Sequence, residues 1–175
     1  YFSIVKRNSD GLLNIINDLL DMSKIEAGML NYQIAGTDLN LLCKEVVNDL
    51  SSTTQNDVKL LFKPEKDSFI INTDKQRLRQ VIVNLVSNAC KFTTEGEITI
   101  SYKQLSTDCL EIRVTDTGIG IATENIPKLF NRFTKLNSNA KGTGLGLVIC
   151  KSIIEHLGGE IGIESELGKG SSFWF

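Results

Sequence analysis

The sequence predicts a two-layer α/β sandwich set behind one long helix, and three stretches carry that expectation. Residues 1–28, YFSIVKRNSDGLLNIINDLLDMSKIEAG, are periodic as a helix. The segments Glu97–Lys103 and Leu110–Thr115 alternate apolar with polar residues (Ile98, Ile100, Tyr102; Leu110, Ile112, Val114), as half-buried antiparallel strands do. Between them, Thr73–Thr93 reads as a single helix with a core-facing stripe of Leu78, Ile82, Leu85, Ala89 and Phe92. Strands on one side and helices on the other make two layers.

Taken in order, the first helix ends at Gly28, a residue suited to the turn that follows a helix C-terminus. Val5, Leu12, Leu19 and Glu26 share one heptad position and Ile15 and Met22 another, while Ile16 and Leu20 widen the stripe beyond a two-stranded seam. A lone helix cannot bury such a face. Residues 1–28 are therefore read as one arm of a dimerising hairpin whose other arm is missing, and residues 29–175 as a separate domain. A start without Met and an abrupt end at Phe175 point to a piece of something longer.

Residues 29–40 form a connector with a short strand expected at Tyr32–Ile34. Asp38 is the expected N-cap of a helix running to about Ser52. Val58–Phe62 and Phe69–Ile71 are expected strands around the turn at Pro64-Glu65-Lys66-Asp67, and Thr73 or Asp74 caps the long helix. A loop of about thirty residues should follow Thr115, then a helix from Leu145 to Leu157 and two strands, Gly159–Glu164 and Ser171–Phe175.

Composition excludes several functions. With 41% hydrophobic and 23% charged residues, the 175-residue chain can bury a core. A net charge of −2 offers no basic footprint for nucleic acid or an anionic membrane. Cys43, Cys90, Cys109 and Cys150 are scattered, without a CxxC, and His156 is the only histidine, which argues against zinc and against a disulfide framework. Reduced thiols in a cytosolic setting follow. No apolar run reaches the roughly 18 residues of a membrane span, and no basic leader opens the chain.

The long helix carries a second stripe. Asn84, Asn88 and Lys91 fall on one side, because residues advance about 100° each around a helix axis. Two short amides are poor helix formers where Glu or Lys would serve a solvated face. An amide oxygen can ligate a hard cation such as Mg²⁺, and a lysine one turn later supplies a point charge for phosphate. At the end of the strand Leu110–Thr115 stands Asp116-Thr117-Gly118-Ile119-Gly120-Ile121. Its carboxylate can accept a hydrogen bond from an exocyclic amine such as adenine N6, and the glycines let a ligand lie against backbone. Guanine presents an oxygen there and is repelled. Further on, Lys141-Gly142-Thr143-Gly144-Leu145-Gly146-Leu147 opens a helix, where freed N–H groups favour phosphate. It fits neither the dinucleotide fingerprint nor the P-loop.

The segments NLVSNACKFT, DTGIGI, FNRF (Phe130–Phe133) and GTGLGL, in that order, resemble the N, G1, F and G2 boxes of sensor histidine kinases. Residues 1–28 resemble the second helix of that family's dimerisation and phosphotransfer hairpin, so the resemblance covers essentially the whole chain. It implies the Bergerat-type ATP-binding fold, a mixed sheet with helices on one face, and it implies ATP and Mg²⁺ as cofactors. By position, Asn88 would ligate the metal, with Asn84 and Lys91 beside the phosphates. Asp116 would bind adenine, Gly118 and Gly120 would let the base approach, and Lys135 would lie near the γ-phosphate. The loop Lys141, Gly142, Thr143, Gly144, Leu145 and Gly146 would receive the phosphates, chiefly through its glycines. Phe130 and Phe133 would anchor a lid over Asn131–Lys141 that is expected to be disordered without nucleotide. The implied partners are a response-regulator receiver domain and, in the full-length protein, a second copy. The implied setting is cytoplasmic, even where the parent is anchored in a membrane.

Two departures sharpen this expectation. The family phosphorylates a histidine on the first hairpin helix, which this chain lacks, and His156 lies instead where a structural histidine is common. The fragment is therefore expected to bind Mg-ATP without autophosphorylating. Related ATPases of the gyrase and mismatch-repair type carry a water-activating glutamate where this chain has Asn84, which cannot act as a general base. Two alternatives accompany the kinase: a catalytically silent nucleotide-binding module, and a serine-protein kinase of the anti-sigma type, against which the helix at 1–28 argues.

Overall fold

The computed structural model describes residues 2–55, 57–135 and 143–175. Lys141, Gly142, the greater part of the expected lid and the side chain of Val5 lie outside the described residues. The chain begins with α1 (Phe2–Glu26), after which Gly28 takes φ +64° and turns the backbone out of the helix. A two-stranded ribbon pairs β1 (Ala35–Asp38) antiparallel with β3 (Ile70–Thr73), Ala35 opposite Thr73. The main sheet holds β2 (Val58–Lys63), β4 (Gly96–Gln104), β5 (Leu110–Asp116), β6 (Gly162–Glu166) and β7 (Gly170–Trp174) in the order β2-β4-β5-β7-β6. Only the β2–β4 pair is parallel, so the sheet is mixed as expected.

Three helices, α2 (Leu39–Ser51), α3 (Lys75–Phe92) and α4 (Gly146–His156), form the second layer, with α3 at its centre between the other two. Both expected caps form. Asp38 accepts from Leu41 N–H at 3.1 Å and Asp74 from Arg77 N–H at 3.0 Å. Leu78, Val81, Ile82, Leu85, Val86 and Ala89 of α3 meet Ile98, Ile100, Ile112 and Val114 of the sheet in one core, joined by Leu42 and Val46 of α2 and Ile149 and Ile153 of α4.

Four expectations are corrected. The connector strand forms at Ala35–Asp38 and not at Tyr32–Ile34, because Tyr32 stacks on His156 with ring centroids 4.1 Å apart and Gln33 gives its N–H to Asp74 Oδ2 at 2.8 Å. Phe69 lies outside β3, its carbonyl taken by Leu39 N–H at 2.9 Å. Phe92 is 36% exposed and not in the core, since the last turn of α3 runs past the sheet. β6 starts at Gly162, because Gly158 with φ +84° and the residues after it are spent on turning out of α4. The long loop after β5 also contains one element that alternation could not reveal, a 3-10 turn at Thr123–Lys128.

Candidate nucleotide-binding site

The Asn84–Asn88–Lys91 stripe of α3 runs between two loops, one at each end. At the C-terminal end, Ile119 N–H donates to Phe92 O at 3.2 Å, so the loop after β5 is tied directly to the exit of α3. At the other end the Asn84 amide lies against the first residue of α4. A Cβ at Gly146 would come within 2.6 Å of Asn84 Oδ1, so any side chain there would push the amide aside. Eight residues separate Asn84 from Phe92, about 12 Å along a helix axis and on the scale of a nucleotide.

Asp116 closes β5 with only 6% of its surface exposed. One of its oxygens, Oδ1, accepts from Gly118 N–H at 2.9 Å and from Ser171 N–H at 3.3 Å. These bonds fix the carboxylate plane and leave Oδ2 without a partner among the described residues. Burial pushes the carboxyl above its ordinary value, and the two backbone N–H groups offset part of that. A buried, oriented acceptor is what recognition of an amine requires.

The loop beyond Asp116 is shaped by close backbone approach. A Cβ on Gly118 would strike Phe92 O and come within 2.8 Å of Thr93 Oγ1. Gly120 has φ +65° and packs on the Glu166 carbonyl, a position no side chain could share. The β6–β7 turn braces this loop through Gly168 N–H to Ile119 O at 2.7 Å and Ile121 N–H to Ser165 Oγ at 2.8 Å.

The glycine-rich segment before α4 is joined to the FNRF segment. Phe133 N–H donates to Gly144 O at 3.0 Å, and Phe133 is the one non-glycine residue with positive φ, +59°, among the described residues. A Cβ on Gly144 would meet the Phe133 backbone at 2.8 Å. Phe130 is half-buried above the buried Leu129, whereas Phe133 is 67% exposed. Thr143 Oγ1 accepts from Leu145 N–H at 3.1 Å and so serves the start of α4, while the Leu145 side chain is buried.

Asn88 is half-buried and makes no side-chain hydrogen bond among the described residues, so its amide oxygen stands open to a cation. No cluster of three or more His, Cys, Asp or Glu that could cage a metal occurs among those residues. A metal here would be held by this amide together with phosphate oxygens and water, an arrangement that suits Mg²⁺. Lys91 lies one turn on; desolvation lowers its ammonium below the ordinary lysine value, and the charge of Asp18 opposes that. Asn84 differs, because its amide lies against Gly146 between α3 and α4, close to the buried Cys150 thiol, which burial raises to about 12. Lys135 is exposed, and among the described residues no hydrogen bond ties it to the other site residues.

Two groups at the site were given no role by the sequence. Thr93, the last residue of NLVSNACKFT, is fully buried and keeps its hydroxyl without a partner among the described residues, beside Asp116 and Gly118. Asp18, in the first helix, accepts a hydrogen bond from Thr143 Oγ1 at 2.8 Å. Both depend on tertiary approach; a threonine after a helix and an aspartate on an exposed-looking face give no local signal.

Comparison with known proteins agrees with this geometry. Residues 73–175 match the family described as histidine kinase-, DNA gyrase B- and HSP90-like ATPases. The sensor protein GacS of Pseudomonas syringae pv. syringae is 39% identical over 185 residues, covering 99% of this chain and 20% of its own length. The chain thus spans about a fifth of that relative. Full-length ShkA, solved in complex with AMPPNP, overlays with a TM-score of 0.90 at 28% identity, across 100% of this chain and 37% of its own. Histidine kinase ThkA, solved in complex with the response regulator protein TrrA, overlays with a TM-score of 0.77 at 26% identity, across 100% of this chain and 49% of its own. The chain belongs to the histidine kinase-, DNA gyrase B- and HSP90-like ATPase family, in the form of a sensor histidine kinase ATP-binding catalytic domain.

Proposed function

We propose that this chain binds Mg-ATP and, within its longer parent, transfers the γ-phosphate to a histidine on the partner arm of the α1 hairpin, for relay to an aspartate of a response-regulator receiver domain. The observation that carries the proposal is the Asp116 carboxylate, buried, fixed by two backbone donors and left with one open oxygen. That oxygen accepts the adenine amine and repels the guanine carbonyl. Thr93 offers its idle hydroxyl to the same edge of the base, directly or through water.

The remaining residues hold the triphosphate without reacting with it. Asn88 offers its amide oxygen to Mg²⁺, and Lys91 offers charge to the phosphates. The metal, when bound, neutralises charge on the phosphate chain and leaves the terminal phosphorus open to a nucleophile. Lys141, Gly142, Thr143, Gly144, Leu145 and Gly146 are assigned the phosphates, since N–H groups at a helix start favour anions. Lys135, exposed two residues after Phe133, is assigned the γ-phosphate. No carboxylate stands one turn before Asn88; the amide of Asn84 cannot take a proton from water, so γ-phosphate is kept for a side chain.

Residues 1–28 serve as the second hairpin helix, which disfavours an anti-sigma type kinase, and GacS matches this helix as well as the nucleotide domain. The exposed apolar row Leu12, Leu13, Ile16, Leu19 and Leu20 is the face left for the other helices of a dimeric bundle. The ThkA–TrrA complex supports a response regulator as the partner class. A longer chain that includes the upstream hairpin helix should form acid-labile phosphohistidine under Mg-ATP, and the 175-residue chain alone should not. Absence of phosphohistidine in the longer chain would leave a silent nucleotide-binding module.

A further inference from the structure

The first helix meets the nucleotide domain along an arc that mixes apolar anchors with carboxylates. Asp18, Asp21, Met22 and Ile25 fall within about 100° of one another around the α1 axis. Met22 is buried and Ile25 packs on the core, while the exposed leucines lie on the other side. Asp21 is held by α3, accepting from Arg77 Nη1 at 3.2 Å and Gln80 Nε2 at 2.7 Å. Asp18 reaches elsewhere, to the glycine-rich loop, where its Oδ2 accepts from Thr143 Oγ1 at 2.8 Å.

A hydroxyl has one proton. With that proton given to Asp18, Thr143 turns a lone pair to Leu145 N–H at the start of α4. The charge of Asp18 also acts on Lys91, where it works against the desolvation of the ammonium. A carboxylate from the first helix is therefore bonded to a group assigned above to the triphosphate.

We propose that Asp18 is a positioning residue set against the triphosphate: it holds the Thr143 hydroxyl until the phosphate chain competes for it. The inference rests on the ATP reading of the site. The helix itself stays in place. AMPPNP-bound ShkA overlays along the full chain with a TM-score of 0.90, so the arrangement of helix and domain is shared with a nucleotide-bound protein. What yields is the carboxylate and its hydrogen bond. Asp18 thereby sets nucleotide affinity according to phosphate charge.

Calorimetric titration of ATP, ADP and AMP, each with Mg²⁺, into the 175-residue chain and its Asp18→Asn and Asp18→Ser variants tests this. Asp18→Asn should tighten ATP by roughly five- to tenfold at low salt, with the gain falling in the order ATP, ADP, AMP and shrinking as salt is raised. In a Thr143→Val background the gain from Asp18→Asn should be smaller. A merely structural role would move the three nucleotides equally. Unchanged or weaker ATP binding by both folded variants, with wild-type binding intact, overturns the inference alone. No binding of any nucleotide by the folded wild-type chain overturns the ATP reading and this inference with it.

Discussion

In the proposed adenine site, Asp116 would discriminate between bases because, among the described residues, only one of its oxygens is occupied. Its Oδ1 takes two backbone N–H groups, and its Oδ2 points at whatever amine enters. Asp116→Asn presents a donor to a donor in one amide orientation and a neutral acceptor in the other. It should weaken ATP by about 2–3 kcal/mol, roughly 30- to 150-fold in Kd by calorimetry. The pH dependence has a definite sign. Burial raises the Asp116 carboxyl, so protonation begins at higher pH than for an ordinary aspartate, and a protonated Oδ2 can no longer accept. ATP affinity should fall as pH drops toward that raised value, and Asp116→Asn should lose this part of the profile. The same shift makes ionised Asp116 a cost to the fold, so its contribution to stability declines as pH rises through the interval between the ordinary and the raised value. Asp116 and Asn88 were legible in the sequence because their neighbours in the chain, glycines or a helical stripe, announce them. Thr93 and Asp18 were not, since each acquires its meaning from a residue far off in sequence, Asp116 or Thr143.

At the scale of elements, α3 is the part on which the site depends, and its N-cap is a single point of support. Asp74 accepts from Arg77 N–H and also from Gln33 N–H of the connector, so it fastens the helix start and the chain leaving α1 together. Asp74→Ala should cost about 1–2 kcal/mol in denaturant unfolding. Burial alone would raise this carboxyl, yet the N–H groups of Arg77, Gln33 and Gln76 bring it below its ordinary value. The stabilisation is present above the ordinary carboxylate value and is lost as pH falls through the lowered one, a loss Asp74→Ala should not display. Gly120→Ala is expected to do more harm. It places a Cβ on the Glu166 carbonyl at φ +65°, and should lower both the melting temperature and ATP affinity as the loop moves off the β6–β7 turn. The caps, the alternation of β4 and β5 and the helices were readable from periodicity and cap chemistry. The ribbon was misplaced by three residues because Tyr32 and Ile34 look like strand, while Tyr32 is in fact drawn onto His156 by ring stacking.

For the whole molecule, the interface between α1 and the nucleotide domain is the feature that no single segment foretold. Leu12, Ile15, Ile16, Leu19 and Leu20 predicted an uncovered face, and they are exposed, but Met22, read into the same seam, is buried, and the heptad pattern was blind to the side that docks on α3. There Asp21, Arg77 and Gln80 form a half-buried network, in which Arg77 also donates to Gln80 Oε1 at 2.8 Å. Truncating one member strands the others, so Asp21→Ala should loosen the C-terminal half of α1 and raise its amide exchange rate relative to α3. As proposed, the chain is an adenine-selective, Mg-dependent nucleotide-binding domain governed by Asp116. The decisive experiment is calorimetric titration of Mg-ATP into the wild-type chain and Asp116→Ala, with Mg-GTP as the control. Saturable ATP binding to the wild type, none to the variant and none of GTP to either is the expected result. GTP bound as well as ATP, or ATP binding indifferent to the loss of Asp116, would contradict it.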